Sequence, residues 1–324
     1  MPDIEFFRGC FNTYLENKLN TKEPLNLYDP IVYIMDLGGK RLRPILTLIS
    51  ADVFGGKYED ALDAALAIEV FHNFSLVHDD IMDAAPLRRG EKTVHKKWDI
   101  NTGILSGDVM LINSYQYFEN YPADLFKPLL KVFSTTAIEV CEGQQYDMDF
   151  ERSDQVTVPE YLKMITYKTA VLIAAAMKMG AIISRASEKA QDAIYDYAIN
   201  LGIAFQLQDD YLDAFGDPEN FGKQVGGDII ENKKTFLYIK AMELGAAEDK
   251  KELKNLFSIR PDNPKEKIET VKEIFIRSRA AEVTREEIEK YTRRAFELLE
   301  ALDAPENKKE VLKNFGNKLM NREV

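Results

Sequence analysis

Long stretches of helical periodicity, with no clean alternation of apolar and polar residues, set the main limit on what this chain can fold into. They run from about Tyr58 to Asp83, Gly103 to Asn120, Leu125 to Asp149, Pro159 to Ser184 and Ser187 to Ala214. A 3.6-residue period lets one stripe of each helix bury against its neighbours, whereas strands need a two-residue period bounded by turns. The last third reads as shorter, charge-rich helices. Local start signals agree: Pro159 with Glu160 beside it, and Ser187 before Glu188, suit the first turn and cap of a helix. Two stretches break the pattern, Ala84 to Asn101 and Gly216 to Lys234, and both read as loops rich in Gly and basic residues. No long polar linker, short-period repeat or low-complexity tract divides the chain. The pattern predicts an all-α fold, with residues 1–324 forming a single helical domain.

Composition narrows the function. Hydrophobic residues make up 45% and charged residues 30%, as in a globular protein. No window reads as the roughly 20 apolar residues of a bilayer span, so stable membrane insertion is not expected. Asp3 and Glu5 stand where a signal peptide would carry basic residues, so a cytoplasmic location is expected. A net charge of -12 argues against nucleic acid as a partner. Any phosphate ligand must then be met by local basic groups or by metal ions. Cys10 and Cys141 are too few for a disulfide framework and read as ordinary buried thiols.

Two aspartate clusters break the rules of helix design in the same way. Asp79-Asp80-Ile81-Met82-Asp83 closes the helix that begins near Ala61, and Asp209-Asp210-Tyr211-Leu212-Asp213 closes the helix through Gly202 to Leu207. Positions i and i+4 share a helix face, so Asp79 stacks over Asp83 and Asp209 over Asp213. Like charges at that spacing destabilise a helix by a few tenths of a kcal/mol, and the C-terminal end of the dipole disfavours anions. A hard divalent cation such as Mg²⁺ removes both penalties, because it takes carboxylate and phosphate oxygens as ligands. One such cluster is commonly a solvated face; two, each after an apolar helical run, point to metal. The calcium-loop pattern of an EF-hand is absent.

Metal held this way is commonly shared with a phosphate, and a diphosphate also calls for cations. The sequence places basic islands around the clusters: Gly38-Gly39-Lys40-Arg41-Leu42-Arg43, Arg88-Arg89-Gly90, Lys168-Thr169, Gly222-Lys223 and Asn232-Lys233-Lys234-Thr235. Singly, each is more often a solvated charge. The order basic, acidic, basic, acidic, basic suits one metal-bridged diphosphate and one metal-free one.

The ordered set GGKRLRP, FHNFSLVHDDIMD, PLRRG, GQQYD, KTA, FQLQDDYLD and GKQVGGDIIENKKT, covering about Gly38 to Thr235, resembles the trans-type polyprenyl diphosphate synthases. The resemblance implies a homodimer of long helices around a deep central cavity, with about three Mg²⁺ ions per active site. It implies that Asp79, Asp83 and Asp209 ligate Mg²⁺ directly, supported by Asp80, Asp210 and Asp213. It assigns Gly39, Lys40, Arg43, His72 and Arg89 to isopentenyl diphosphate. Arg88, Lys168, Lys223 and Lys233 go to the allylic diphosphate, and Gln144, Thr169 and Gln206 to the reacting region. The implied chemistry is ionisation of the allylic C–O bond, attack by isopentenyl diphosphate and loss of a proton. Such a reaction needs no Ser-His-Asp or Cys-His set. His78 and His95 read equally well as structural residues.

Product length is carried by the helix before Asp79. Phe74 lies five residues back, roughly 7.5 Å along the axis at about 1.5 Å per residue. In the resembled family a bulky side chain there acts as a floor beneath the growing chain. With the small Ser75 beside it, and no insertion in the motif, the resemblance favours geranylgeranyl (C20) over farnesyl (C15) diphosphate and leaves both open. A terpene cyclase would carry a mixed Asn/Ser/Glu second motif and lack GGKRLRP. A silent subunit of a heteromeric synthase would be expected to lose motif residues, and here all are in place.

Overall fold

The computed structural model describes residues 3–153, 155–216 and 226–320. In chain order the helices are Ile4–Lys18 (α1), Leu25–Asp36 (α2), Leu42–Val53 (α3), Leu62–Met82 (α4), Val94–Lys97 (α5), Ile100–Gln116 (α6), Ala123–Arg152 (α7), Val158–Ile165 (α8), Val171–Ile183 (α9) and Glu188–Phe215 (α10). Gly227–Glu231 (α11), Phe236–Leu244 (α12), Ala247–Leu256 (α13), Lys265–Arg277 (α14), Ala280–Glu300 (α15) and Glu306–Met320 (α16) follow. The fold is all-α, as the periodicity predicts. The exception among the described residues is a minimal antiparallel hairpin, Leu87–Arg88 (β1) against Glu91–Lys92 (β2), inside the stretch read as a loop. Gly90, with φ 83°, supplies its turn.

The chain forms two compact units, each built from separate stretches. The first comprises Met1–Ser134, Ala175–Asp192 and Asp303–Val311. Asp3 caps α1 by accepting from the Phe6 amide at 2.9 Å, and Phe7, Phe11 and Leu15 form its buried face. Helix α4 is buried on every side from Ala64 to Phe71, with α3 and α6 packed along it. Phe71, Tyr115, Phe118 and Phe133 pack edge to face and tilted at centroid distances of 4.9–5.3 Å. Ser50 Oγ donates to the Met177 carbonyl at 2.6 Å, fixing α3 against α9.

The second unit comprises Thr135–Ala174, Ala193–Leu302 and Leu312–Val324. Its core joins Tyr161 and Ile165 with Leu207, Tyr211 and Leu212 of α10, Phe236 and Ile239 of α12, and Val271 and Phe275 of α14. Helix α8 starts where Pro159 places it, with a capping box between Thr157 and Glu160. In the first unit, the Ala190 amide at the start of α10 donates to Ser187 Oγ at 3.2 Å, as the sequence implies.

Two composition readings are corrected. Val158–Ile183 is long and apolar enough to span a bilayer by length and composition, but 72% of that window is buried inside the protein, as in a core helix. Cys141 is exposed and Cys10 half-buried, because each lies off the core stripe of its helix.

Candidate active site

The first aspartate cluster ends α4 in a way that spares its carboxylates. The Ala85 amide donates to the Asp80 carbonyl at 3.0 Å and the Ala84 amide to Ile81 at 3.2 Å, with Ala84 left-handed at φ 52°. This is the Schellman closure, and it satisfies terminal carbonyls with backbone alone. Asp80 points inward and is 1% exposed. Arg88, brought back by the hairpin, grips both Asp80 oxygens at 2.6–2.9 Å and lies 3.6 Å from Asp79. Burial raises the Asp80 carboxyl above its ordinary pKa, and the Arg88 guanidinium opposes that shift. Asp79 is half-buried and Asp83 exposed. Arg88, which the resemblance assigns to the allylic diphosphate, thus also holds the cluster's buried carboxylate.

The same unit holds the glycine-rich basic loop between α2 and α3. Gly38, Gly39 and Arg41 have φ of 75°, 123° and 49°. A Cβ on Gly39 would lie 2.8 Å from the Arg89 guanidinium, so only glycine lets Arg89 approach and donate to the Gly38 carbonyl. Arg43 donates to His72 Nε2 at 3.1 Å, which makes that nitrogen an acceptor and the ring neutral. Burial and the surrounding arginines hold the His72 pKa well below its ordinary value, and burial lowers Arg43 to about 10. Gly39, Lys40, Arg43, His72 and Arg89 therefore come together, with Gly39, Lys40 and Arg89 exposed. Phe74, 8% exposed, packs between Phe71 and the His78 ring, and Ser75 Oγ donates to the His72 carbonyl at 2.8 Å. His95 is buried near Asp80, which fits its structural reading.

In the second unit the matching cluster sits slightly inside α10, which continues to Phe215. Asp210 is 7% exposed and is held by neutral groups: Tyr161 donates its hydroxyl to Oδ2, and Gln206 its amide to Oδ1 at 2.8 Å. Thr169 Oγ1 in turn donates to Gln206 Oε1 at 3.0 Å. Burial and the nearby Asp228 carboxylate raise the Asp210 pKa well above the ordinary range. Asp213 accepts from the Asp228 amide at 2.9 Å, which ties α11 to the cluster.

Lys168 and Thr169 lie on a π-helical turn, Thr166–Ala170, between α8 and α9. Such a turn re-aims side chains that a regular helix would bury differently, and it recurs at functional sites. It is pressed against Gly143 of α7, where a Cβ would meet the Lys168 amide nitrogen at 2.2 Å. Lys168 pairs with Asp147 at 2.6 Å. Lys233 pairs with Glu231 at 2.9 Å and lies 3.7 Å from Asp228. Burial disfavours its charge, yet those carboxylates hold its pKa above the usual lysine value. Lys168, Thr169, Gln206, Asp210 and Lys233 line one cavity of about 100 Å³ with Asp147 and Asp228. Gln144 is half-buried and does not line it. Lys223 lies outside the described residues.

Oxygen donors and cations in these arrangements suit a divalent metal with a diphosphate. Among the described residues no group of three or more His, Cys, Asp or Glu side chains forms a cage of its own. That fits Mg²⁺, which keeps waters and substrate phosphate oxygens in its shell. Sequence reading gave no role to Glu69, Asp147, Tyr161 or Asp228, and counted Arg41 only among the basic islands. Asp147 and Asp228 stand inside the motifs GQQYD and GGDIIENKKT; Tyr161 carries no local signal.

The polyprenyl synthetase family pattern matches residues 24–275. The chain belongs to the polyprenyl synthetase family. As a member it is a short-chain trans-prenyltransferase acting on isoprenyl diphosphates. It is 41% identical over 272 residues to a short chain isoprenyl diphosphate synthase of Methanothermobacter thermautotrophicus, covering 84% of this chain and 83% of the relative. A crystal structure of a geranylgeranyl pyrophosphate synthase superposes with TM-score 0.96 at 55% identity, over 100% of both chains. The geranylgeranyl pyrophosphate synthase of Corynebacterium glutamicum, complexed with isoprenyl diphosphate and magnesium, gives TM-score 0.85 at 26% identity over 98% of each chain. The match is wider than the Gly38 to Thr235 span carried by the motifs.

Proposed function

We propose that this synthase condenses isopentenyl diphosphate with an allylic diphosphate, 1'-4 and trans, to make geranylgeranyl diphosphate. The observation that carries this reading is the pairing of each aspartate cluster with its own cations: Arg88 beside Asp79 and Asp80, Lys168 and Lys233 in the cavity with Asp210. In this reading Asp79, Asp83 and Asp209 carry Mg²⁺, about three ions per site, with Asp80, Asp210 and Asp213 in support. Bound Mg²⁺ would stabilise charge on the departing diphosphate. Lys168, Lys233 and Arg88, each held by carboxylates, would do the same from the protein side, and Lys223 is assigned the same role. Gly39, Lys40, Arg43, His72 and Arg89 would hold isopentenyl diphosphate. Thr169 and Gln206, fixed to each other, would face the reacting carbons with Gln144. The departing diphosphate would take the proton lost after condensation.

The buried Phe74 supports a C20 stop, and so does the full-length likeness to a geranylgeranyl pyrophosphate synthase. We further propose that the chain works as one helical domain, since each unit is assembled from separated stretches. A homodimer fits the exposure of Ile100, Ile104, Leu105 and Ile112 on α6, between 40% and 58%. A cytoplasmic location completes the reading.

The test is product analysis. Purified protein with Mg²⁺ and labelled isopentenyl diphosphate is given dimethylallyl, geranyl or farnesyl diphosphate in turn, and products are separated by length. A C20 product is expected. A C15 stop or a longer product moves the floor away from Phe74, and no elongation from any starter overturns the reading.

A further inference from the structure

The glycine-rich loop between α2 and α3 is held by a buried ion pair that the binding roles above do not use. Arg41 is 7% exposed and Glu69 of α4 is 3% exposed. Arg41 Nη1 donates to Glu69 Oε1 at 2.5 Å, and Arg41 Nη2 donates to the Met35 carbonyl in the last turn of α2. Asn73, one turn along α4, donates to the Glu69 carbonyl at 2.8 Å and to Oε1 at 3.2 Å. The guanidinium fork thus satisfies an end of α2 and a buried carboxylate of α4 at once.

Arg41 also has φ 49° as the residue that caps α3, a left-handed conformation that a residue with a Cβ rarely adopts. Such a backbone persists when its surroundings over-determine it. The buried fork supplies that restraint. Its neighbours show what is set by it: Lys40 precedes Arg41, and Arg43, two residues on, meets His72 three residues beyond Glu69 on the same helix.

We propose that Arg41, Glu69 and Asn73 form a buried brace that fixes the Gly38–Arg41 backbone and so positions Lys40 and Arg43 for the diphosphate of the homoallylic substrate. The three are positioning residues that do not touch substrate. The proposal rests on the reading that this loop binds isopentenyl diphosphate. Its hydrogen bonds among the described residues run to Met35 and within α4 rather than to an aspartate cluster, so its effect is expected on one substrate.

The experiment compares Glu69→Gln and Arg41→Lys with Lys40→Ala in steady-state kinetics, varying each substrate in turn. Gln keeps an acceptor for Arg41 but loses the charge; Lys keeps the charge but cannot serve Glu69 and Met35 together. The expected result is a KM for isopentenyl diphosphate raised roughly 10- to 100-fold in Glu69→Gln, and less in Arg41→Lys, with the allylic KM within about twofold. A merely structural pair would move both KM values alike or neither. Should Glu69→Gln fail to fold, the double variant Arg41→Met/Glu69→Met leaves no lone buried charge and carries the same expectation. A Lys40→Ala effect on isopentenyl diphosphate without one from the brace variants overturns the brace and leaves the binding reading standing. An unchanged isopentenyl diphosphate KM in Lys40→Ala overturns the binding reading, and the brace with it.

Discussion

The two aspartate clusters share a sequence pattern but are stabilised by different chemistry. At the end of α4, the buried middle carboxylate, Asp80, is neutralised by a bidentate arginine from the hairpin. Within α10 its counterpart, Asp210, is held by a tyrosine hydroxyl and a glutamine amide, with a further carboxylate, Asp228, nearby. The buried carboxylate of the first cluster thus takes its counter-charge from the protein itself. In the second, the cavity cations Lys168 and Lys233 pair with Asp147, Glu231 and Asp228, and the buried Asp210 is met by neutral donors. A repeated motif does not imply a repeated role: a cation of the protein sets the buried carboxylate of the first and neutral groups that of the second, so the second is expected to lean more on bound metal.

Variants can break that comparison or sharpen it. The largest expected effect is on turnover: Asp79→Asn and Asp209→Asn should each lower kcat by roughly 1,000-fold, since each removes a proposed ligand of the Mg²⁺ that would stabilise the departing diphosphate. If only one of them lowered the rate, the clusters would not both serve the reaction. On stability the clusters should diverge. Arg88→Met leaves Asp80 buried without its counter-charge and should cost about 3 kcal/mol in denaturant unfolding. Tyr161→Phe removes one hydrogen bond to a carboxyl and should cost about 2 kcal/mol. Equal losses would erase the distinction.

Gly143→Ala tests the support behind the second cluster. The added methyl meets the π-turn backbone at Lys168, so a loss of about 1–3 kcal/mol is expected, with weaker allylic binding. A silent substitution would show that the turn is not held from α7.

The smallest effect concerns the first unit. The folded His72 pKa lies below its ordinary 6.5, so the unfolded chain takes up that proton more readily. This group leaves stability untouched above about pH 6.5 and subtracts from it as pH falls further. The melting temperature of His72→Gln should therefore fall less than that of the parent between pH 7 and 5. Parallel curves would refute a neutral buried His72.

Much of this was legible in the sequence, and the reasons are physical. The helices follow from periodicity, and the starts of α8 and α10 from Pro159 and Ser187, because those signals are local. The carboxylates of both clusters were visible as violations of helix electrostatics. Their partners were not. The grip of Arg88 on Asp80 appears only when the hairpin brings the two together, and Tyr161 reads as one more helical aromatic until packing aims its hydroxyl at Asp210. The π-turn at Lys168 depends on Gly143, and no pattern within either segment announces that contact. Arg41 and Glu69, like charges everywhere in this chain, reveal their pairing only once α3 and α4 are packed.

The most direct test of a second cluster that leans more on bound metal than the first is the Mg²⁺ dependence of elongation. Protein stripped of divalent cations is given labelled isopentenyl diphosphate and an allylic starter, and Mg²⁺ is titrated back. The expected result is no product in chelator and full recovery with Mg²⁺. The concentration for half-recovery should shift upward more in Asp209→Asn than in Asp79→Asn. Elongation at full rate without a divalent cation, or a larger shift in Asp79→Asn, would contradict the account.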